Sequence, residues 1–147
     1  MTLLTSATGH PLVKSFSGAD VIQQLFSTGK LFNVSEEPVS DLKSLSALLL
    51  RLEDDATNTV IRGLLMEAQN DSVPRNKETF TATPRQWCMI DIDSLAWDGD
   101  LSDQPATLTY AIQQLPAEFQ SADCWYHLSS SMGIKAGIRL HLWLWTE

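Results

Sequence analysis

The chain has 147 residues, 44% of them apolar and 19% charged, with a formal net charge of −8 at pH 7. That length and mix suit one globular domain, or one domain with an N-terminal appendage, and allow a sizeable core. The acidic balance argues against broad nucleic-acid affinity, which needs a basic surface, so any nucleic acid must be held at a local site. The longest apolar run, Leu48-Leu49-Leu50, is far too short to span a bilayer, so no membrane partner is expected. Met1 to Val13 lacks the apolar segment of a signal peptide, and a cytoplasmic location is expected. Cys88 and Cys124 form no C-x-x-C pair and read as reduced side chains, Cys88 as a small core residue.

In chain order, residues 1 to about 16 show no clear period and are expected to be poorly ordered. After Ser17-Gly18-Ala19-Asp20, the residues Val21, Ile22, Leu25 and Phe26 fall at helical spacing and predict a short helix ending near Gly29. Residues 33–40 read as a polar connection containing Pro38. Asp41 is placed to cap a helix whose Leu42, Leu45, Leu48, Leu49 and Leu52 form an apolar packing stripe, closed by Glu53-Asp54-Asp55. Thr59 to Leu65 reads as a strand. Residues 67–86 form a long excursion with one short strand at Glu78 to Thr81. The excursion carries Arg75, Lys77 and Arg85, which are either solvated loop charges or a local nucleic-acid contact.

The next stretch, W-C-M-I-D-I-D from Trp87 to Asp93, is a strand by alternation, with Asp91 and Asp93 on one face and Ile90 and Ile92 on the other. Adjacent carboxylates repel, and a hard divalent cation such as Mg²⁺ or Mn²⁺ would relieve that repulsion. The plainer alternative is two solvated aspartates at a strand end. Beyond the acidic turn Asp98-Gly99-Asp100, Gln104 to Gln113 predicts a helix with Leu108, Ala111 and Ile112 inside, ended by Leu115-Pro116. Pro116 to Phe119 predicts a further short turn.

Cys124 to Ser131 is a strand running into a hydroxyl cluster, and Met132 to Gly137 turns the chain. Ile138 to Trp145 alternates strictly: Leu140, Leu142 and Leu144 face one way, Arg139, His141, Trp143 and Trp145 the other. Alone, His141 reads as a hydrogen-bonded sheet histidine and the tryptophans as packing. Together with the aspartates and the Ser129-Ser130-Ser131-Met132-Gly133 turn, the set equips a nucleoside triphosphate site. Hydroxyls and turn N–H groups cradle phosphate oxygens, Arg and His neutralise them, and metal on the carboxylates bridges them.

M-I-D-I-D, then S-S-S-M-G, then R-L-H-L-W resemble the first two motifs of the archaeo-eukaryotic primase superfamily. The V-I-R-G strand and the stretch from Arg75 to Phe80 are similar to members carried by phages, plasmids and integrative elements. The resemblance spans roughly residues 41 to 145. It implies an α/β fold: an RRM-like antiparallel or mixed sheet with helices on one face, forming a catalytic domain over 41–147. Residues 1–40 would precede it as a partly irregular segment with a short helix. Asp91 and Asp93 would hold Mg²⁺ or Mn²⁺, and His141 would contact the incoming NTP or dNTP. Ser129, Ser130, Ser131, Lys135 and Arg139 would assist. The implied activity is nucleotidyl transfer to a 3′-hydroxyl on a single-stranded DNA template, alongside a replicative helicase. The family's third motif, an aspartate on a later strand, has no counterpart before Thr146-Glu147, so the domain is expected to be an incomplete piece.

Two other classes fit parts of the pattern. A non-catalytic α/β module could use Trp143 and Trp145 to stack bases or meet a protein. D-I-D also resembles the opening motif of haloacid-dehalogenase-like phosphatases, although Leu95 stands where a Thr or Val is usual.

Overall fold

Local alternation decides the architecture of the second half of the chain, and long-range pairing decides that of the first. The computed structural model describes residues 1–12, 15–17, 22–24, 30–68 and 71–146. It divides the chain into two compact units, Met1–Arg85 and Gln86–Glu147. The expected boundary after residue 40 is therefore misplaced. Strands on both sides of that point share one sheet, and the pairing holds residues 1–40 and 41–85 together.

That sheet has β1 (Thr2–Ser6) at its centre, between β4 (Phe32–Glu36) and β5 (Asn58–Ile61), both antiparallel to it. Thr2 and Leu4 are fully buried and Leu3 nearly so. A strand buried on both faces shows no alternation to read, so the disorder expected for residues 1–16 is corrected to a core strand over Thr2–Ser6. β4 replaces part of the expected polar connection; as an edge strand it keeps Asn33, Ser35 and Glu36 exposed or half-exposed. Ser15–Ser17 (β2) and Ile22–Gln24 (β3) pair antiparallel, where a helix is expected. Apolar spacing over so short a window suits either structure, and the strand pairing selects the hairpin. Val21, Leu25 and Phe26, the rest of that expected helix, lie outside the described residues.

Helix α1 (Leu42–Glu53) forms as its stripe predicts. Asp41 Oδ1 accepts from Ser44 N at 2.6 Å while Ser44 Oγ accepts from Asp41 N at 3.2 Å, a reciprocal cap on the first turn. Leu45, Leu48 and Leu49 are buried. The strand expected over 59–65 breaks at Arg62-Gly63, and Leu64–Leu65 (β6) turns away to pair with Phe80–Thr81 (β7). Arg85 fastens the break: its Nε donates to Arg62 O at 3.0 Å and its Nη2 to Thr2 Oγ1 at 2.7 Å.

The second unit runs β8 (Trp87–Leu95), α2 (Gln104–Gln113), α3 (Ala117–Gln120), β9 (Cys124–Leu128) and β10 (Ile138–Trp145). The sheet order is β8-β10-β9, antiparallel throughout, so β10 is paired on both sides. Its Ile138, Leu140, Leu142 and Leu144 are buried with Ala111 of α2. Ile90, Ile92, Tyr126 and Leu128 from the flanking strands, and Leu108, Ile112 and Phe119 from the helices, pack around them. Helices thus cover one sheet face, and the chain is α+β with small antiparallel sheets, the coarse class the sequence implies.

The β9–β10 turn closes on β8 through Gly137. Its φ is +78°, and a Cβ there would sit 2.7 Å from Leu95 O. Gly133, at φ +73°, has open space around it. Gly137→Ala is expected to cost about 2–4 kcal/mol, backbone strain plus overlap, and Gly133→Ala about 1 kcal/mol, strain alone. Denaturant midpoints of the two variants check this ordering; equal losses would show that the close approach to Leu95 carries no weight.

Candidate functional site

The sheet face away from the helices collects what alternation sends there. β8 contributes Trp87, Met89, Asp91 and Asp93; β10 contributes Arg139, His141, Trp143 and Trp145; β9 contributes Trp125 and His127. Register then sets the neighbours. His141 lies opposite Asp91 on one side and His127 on the other, while Trp143 lies between Met89 and Trp125. The first of these rows is polar and continuous. His141 Nε2 is 3.3 Å from Asp91 Oδ1, and His141 Nδ1 is 2.8 Å from His127 Nε2. The second row is apolar, and its Trp143 packs on Trp87 of the next row, opposite Trp145; the two rings are 5% and 3% exposed, with centroids 5.6 Å apart.

A register shift between Ile138 and Leu140 bends the far end of the β8–β10 pair, with Ser94 at φ +67°. Such bulges re-aim side chains. Here the Arg139 guanidinium is brought onto both the Asp93 carboxylate and the Ser94 hydroxyl, and its Nε donates to Ala136 O at 3.3 Å. The acids therefore have a cation and an imidazole beside them already, Asp93 with Arg139 and Asp91 with His141. The carboxylates are the outermost layer, with side chains 61% and 66% exposed for Asp91 and Asp93 against 12% for Arg139. An Asp93–Arg139 ion pair with so exposed a carboxylate is weak, and each carboxylate keeps lone pairs directed at solvent.

Those lone pairs decide what cation the site can accept. Among the described residues, no group of three or more His, Cys, Asp and Glu is arranged to hold a metal. A Mg²⁺ ion needs no such cage when one or two carboxylates are joined by substrate phosphates and waters. Among the described residues, Asp91 and Asp93 form no metal cage on their own, and their exposed oxygens leave room for an ion that brings its other ligands with it.

The serine turn is more closed than its composition implies. Ser129 and Ser131 hydroxyls lie 3.1 Å apart, and Ser131 is buried. The N–H groups of Met132, Ile134 and Lys135 donate within the turn, to Ser129 O and Ser131 O. Ser130, Gly133, Ile134, Lys135 and Ala136 are the exposed residues of this turn. In the first unit, Arg75 and Lys77 are exposed, whereas Arg85 has only 16% of its side chain accessible and is committed to Thr2, Glu36 and Arg62. The expectation of Arg85 as a solvated loop cation is corrected accordingly.

His127 is the member that the motif reading missed. The signal was present: alternation in C-W-Y-H-L puts Trp125 and His127 on one face, and the hairpin register carries His127 to His141. Burial, and secondarily the neighbouring His141, lowers the His127 pKa to about 4, and its Nδ1 is buried with no partner among the described residues.

Comparison of the chain with protein-family models, with curated proteins and with solved structures finds no match.

The lowered pKa of His127 has a consequence for stability. Between its ordinary 6.5 and about 4, the unfolded chain binds a proton that the folded chain refuses. The stabilisation is fully present above pH 6.5 and is lost as pH falls toward 4. Because the ring keeps partial solvent access, the loss is on the order of 1–2 kcal/mol rather than the full shift. Thermal melts at pH 7.5 and 4.5 should show a wider gap for the wild type than for His127→Gln. Identical gaps would assign the acid sensitivity elsewhere.

Proposed function

We propose that the second unit carries a nucleoside triphosphate and divalent-metal site of the primase-polymerase type, serving nucleotidyl transfer in DNA replication. The observation that supports this best is the register of β8 on β10. It sets Asp91 beside His141, with Asp93 and Arg139 next along, on the sheet face that the helices leave uncovered. The acid strand, serine turn and histidine strand follow one another in the order of the primase motifs, on a three-stranded antiparallel sheet.

In this reading Asp91 and Asp93 hold Mg²⁺ or Mn²⁺ through their solvent-facing lone pairs. The ion supplies charge neutralisation to the triphosphate and to the oxygens that attack and leave. His141 and Arg139 exchange their carboxylate partners for phosphate oxygens, which are acceptors of the same kind. Ser130 and Lys135 reach the same ligand from the turn, while Ser129 and Ser131 shape it. The charge balance favours a metal-dependent reading. Residues 86–147 contain eight Asp and Glu against two Lys and Arg, so a bare triphosphate is repelled. The cation reverses the local sign.

A non-catalytic reading rests on one observation: Met89 is 41% exposed beside the half-buried Trp125 side of this face, although Trp143 between them is 5% exposed and closed to stacking. The phosphatase alternative gains no support. Asp91 lies within an antiparallel pair rather than at the carboxyl end of a parallel strand, where open α/β sheets place their ligands.

Isothermal titration of dGTP with Mn²⁺ tests the proposal. The wild type is expected to bind dGTP only when Mn²⁺ is present. The Asp91→Asn, Asp93→Asn double variant should bind at least about tenfold more weakly. Equal affinity of the two proteins, or dGTP binding indifferent to Mn²⁺, would sink the proposal. Single-stranded DNA that quenches tryptophan fluorescence equally in both proteins would favour the binding module.

A further inference from the structure

We infer that His127 is a positioning residue. It holds the His141 imidazole with its proton on Nε2, so that this histidine presents a donor to Asp91 and, on the nucleotide reading above, to phosphate oxygens.

The polarity follows from counting protons. His127 Nε2 and His141 Nδ1 lie 2.8 Å apart, a distance that requires one proton between two ring nitrogens. Two directions are open. In the first, His127 Nε2–H donates to His141 Nδ1, the proton of His141 then sits on Nε2, and that N–H is 3.3 Å from Asp91 Oδ1. The buried, unpartnered Nδ1 of His127 is then a bare lone pair. In the second, His141 Nδ1–H donates to His127, which forces the His127 proton onto Nδ1. That leaves a buried N–H without an acceptor among the described residues, and it sets a bare His141 Nε2 against the carboxylate. A buried donor left unsatisfied costs on the order of a full desolvation penalty, while an orphan lone pair is better tolerated. The first direction carries neither penalty.

The surroundings of His127 keep this arrangement fixed. Trp125 stands beside its ring, with centroids 5.5 Å apart, and the two imidazoles pack at 4.5 Å. Burial keeps His127 neutral in the physiological range, so it has a single proton to give and gives it to His141. The functional consequence concerns ligand chemistry. Phosphate oxygens ionised at neutral pH only accept hydrogen bonds, so a neutral histidine is useful to them only through its N–H. A His141 free to adopt the other tautomer would offer a lone pair to an acceptor.

Two-bond ¹H–¹⁵N correlation of the histidine rings at pH 7.5, without nucleotide, reads this arrangement directly. Both rings are expected as Nε2–H tautomers, with the His141 Nδ1 resonance at the position of a hydrogen-bonded acceptor. His127→Leu should move that resonance toward a free or partly protonated nitrogen and weaken Mn²⁺-dependent dGTP binding roughly three- to tenfold. His127→Gln, whose amide N–H has similar reach, should restore both. An Nδ1–H tautomer at either ring of the wild type, or a His141 Nδ1 resonance unmoved in His127→Leu, would overturn the inference. The wild-type spectrum decides alone should the Leu variant not fold. The expected ring response with no dGTP binding by any form would uphold the positioning role and contradict the nucleotide reading, so the two ideas fail separately.

Discussion

Strand β10 is hydrogen-bonded on both sides, and the second unit depends on that single constraint. A strand in this position sorts its residues between two faces by strict alternation, and its partners must match its register. Leu140, Leu142 and Leu144, buried against α2 and the flanking strands, fix which face turns inward. Once they are inside, Arg139, His141 and Trp143 have no freedom to be anywhere but on the other face. Slipping the register by one residue would bury His141 and expose three leucines. The hydrophobic core therefore holds the polar row in place, and the geometry among Asp91, His141 and His127 follows from the packing of side chains that touch none of them.

On that outer face the balance is electrostatic. Two carboxylates two residues apart gain partial relief from the Arg139 guanidinium and the His141 imidazole, but both remain in contact with water, so the Asp93–Arg139 ion pair contributes no more than about 1 kcal/mol. On the proposed nucleotide reading, weak pairing suits a site whose partners must be exchanged. Strong, dry pairs would hold the arginine and histidine permanently, whereas exposed ones release them to a ligand with more negative charge. The apolar pair of Trp87 and Trp143 beside the acids supplies rigidity, since packed rings of that size give the surrounding strands little room to shift.

Legibility in the sequence followed the range of the interactions involved. The helix from Leu42, its Asp41 cap and the helix from Gln104 rest on contacts within a few residues and were readable from spacing alone. The two alternating strands, Trp87 to Leu95 and Ile138 to Trp145, were equally plain. By contrast, the central role of Thr2–Ser6 depends on partners about 30 and 55 residues away, and T-L-L-T-S carries no pattern that announces burial on both faces. The hairpin of Ser15–Ser17 with Ile22–Gln24 was lost to a spacing that suits a helix as well. At the site, Asp91, Asp93, Arg139 and His141 were named from their motif order, and the structure brings those four together. Neither sequence reading of Arg85, as a solvated charge or a nucleic-acid contact, can reveal its acceptors, because Arg62 O and the Thr2 hydroxyl leave no trace in a charge pattern. His127 was overlooked because no motif includes it, although alternation and hairpin register together point to it.

The most direct measurement is a crystal structure of the chain grown with Mn²⁺ and a non-hydrolysable dGTP analogue, with anomalous diffraction to locate the manganese. The expected result is an anomalous peak within coordination distance of Asp91 and Asp93, with the triphosphate oxygens against His141 and Arg139. Manganese found away from the two aspartates, or the nucleotide bound on another surface, would contradict the assignment of this sheet face as the site.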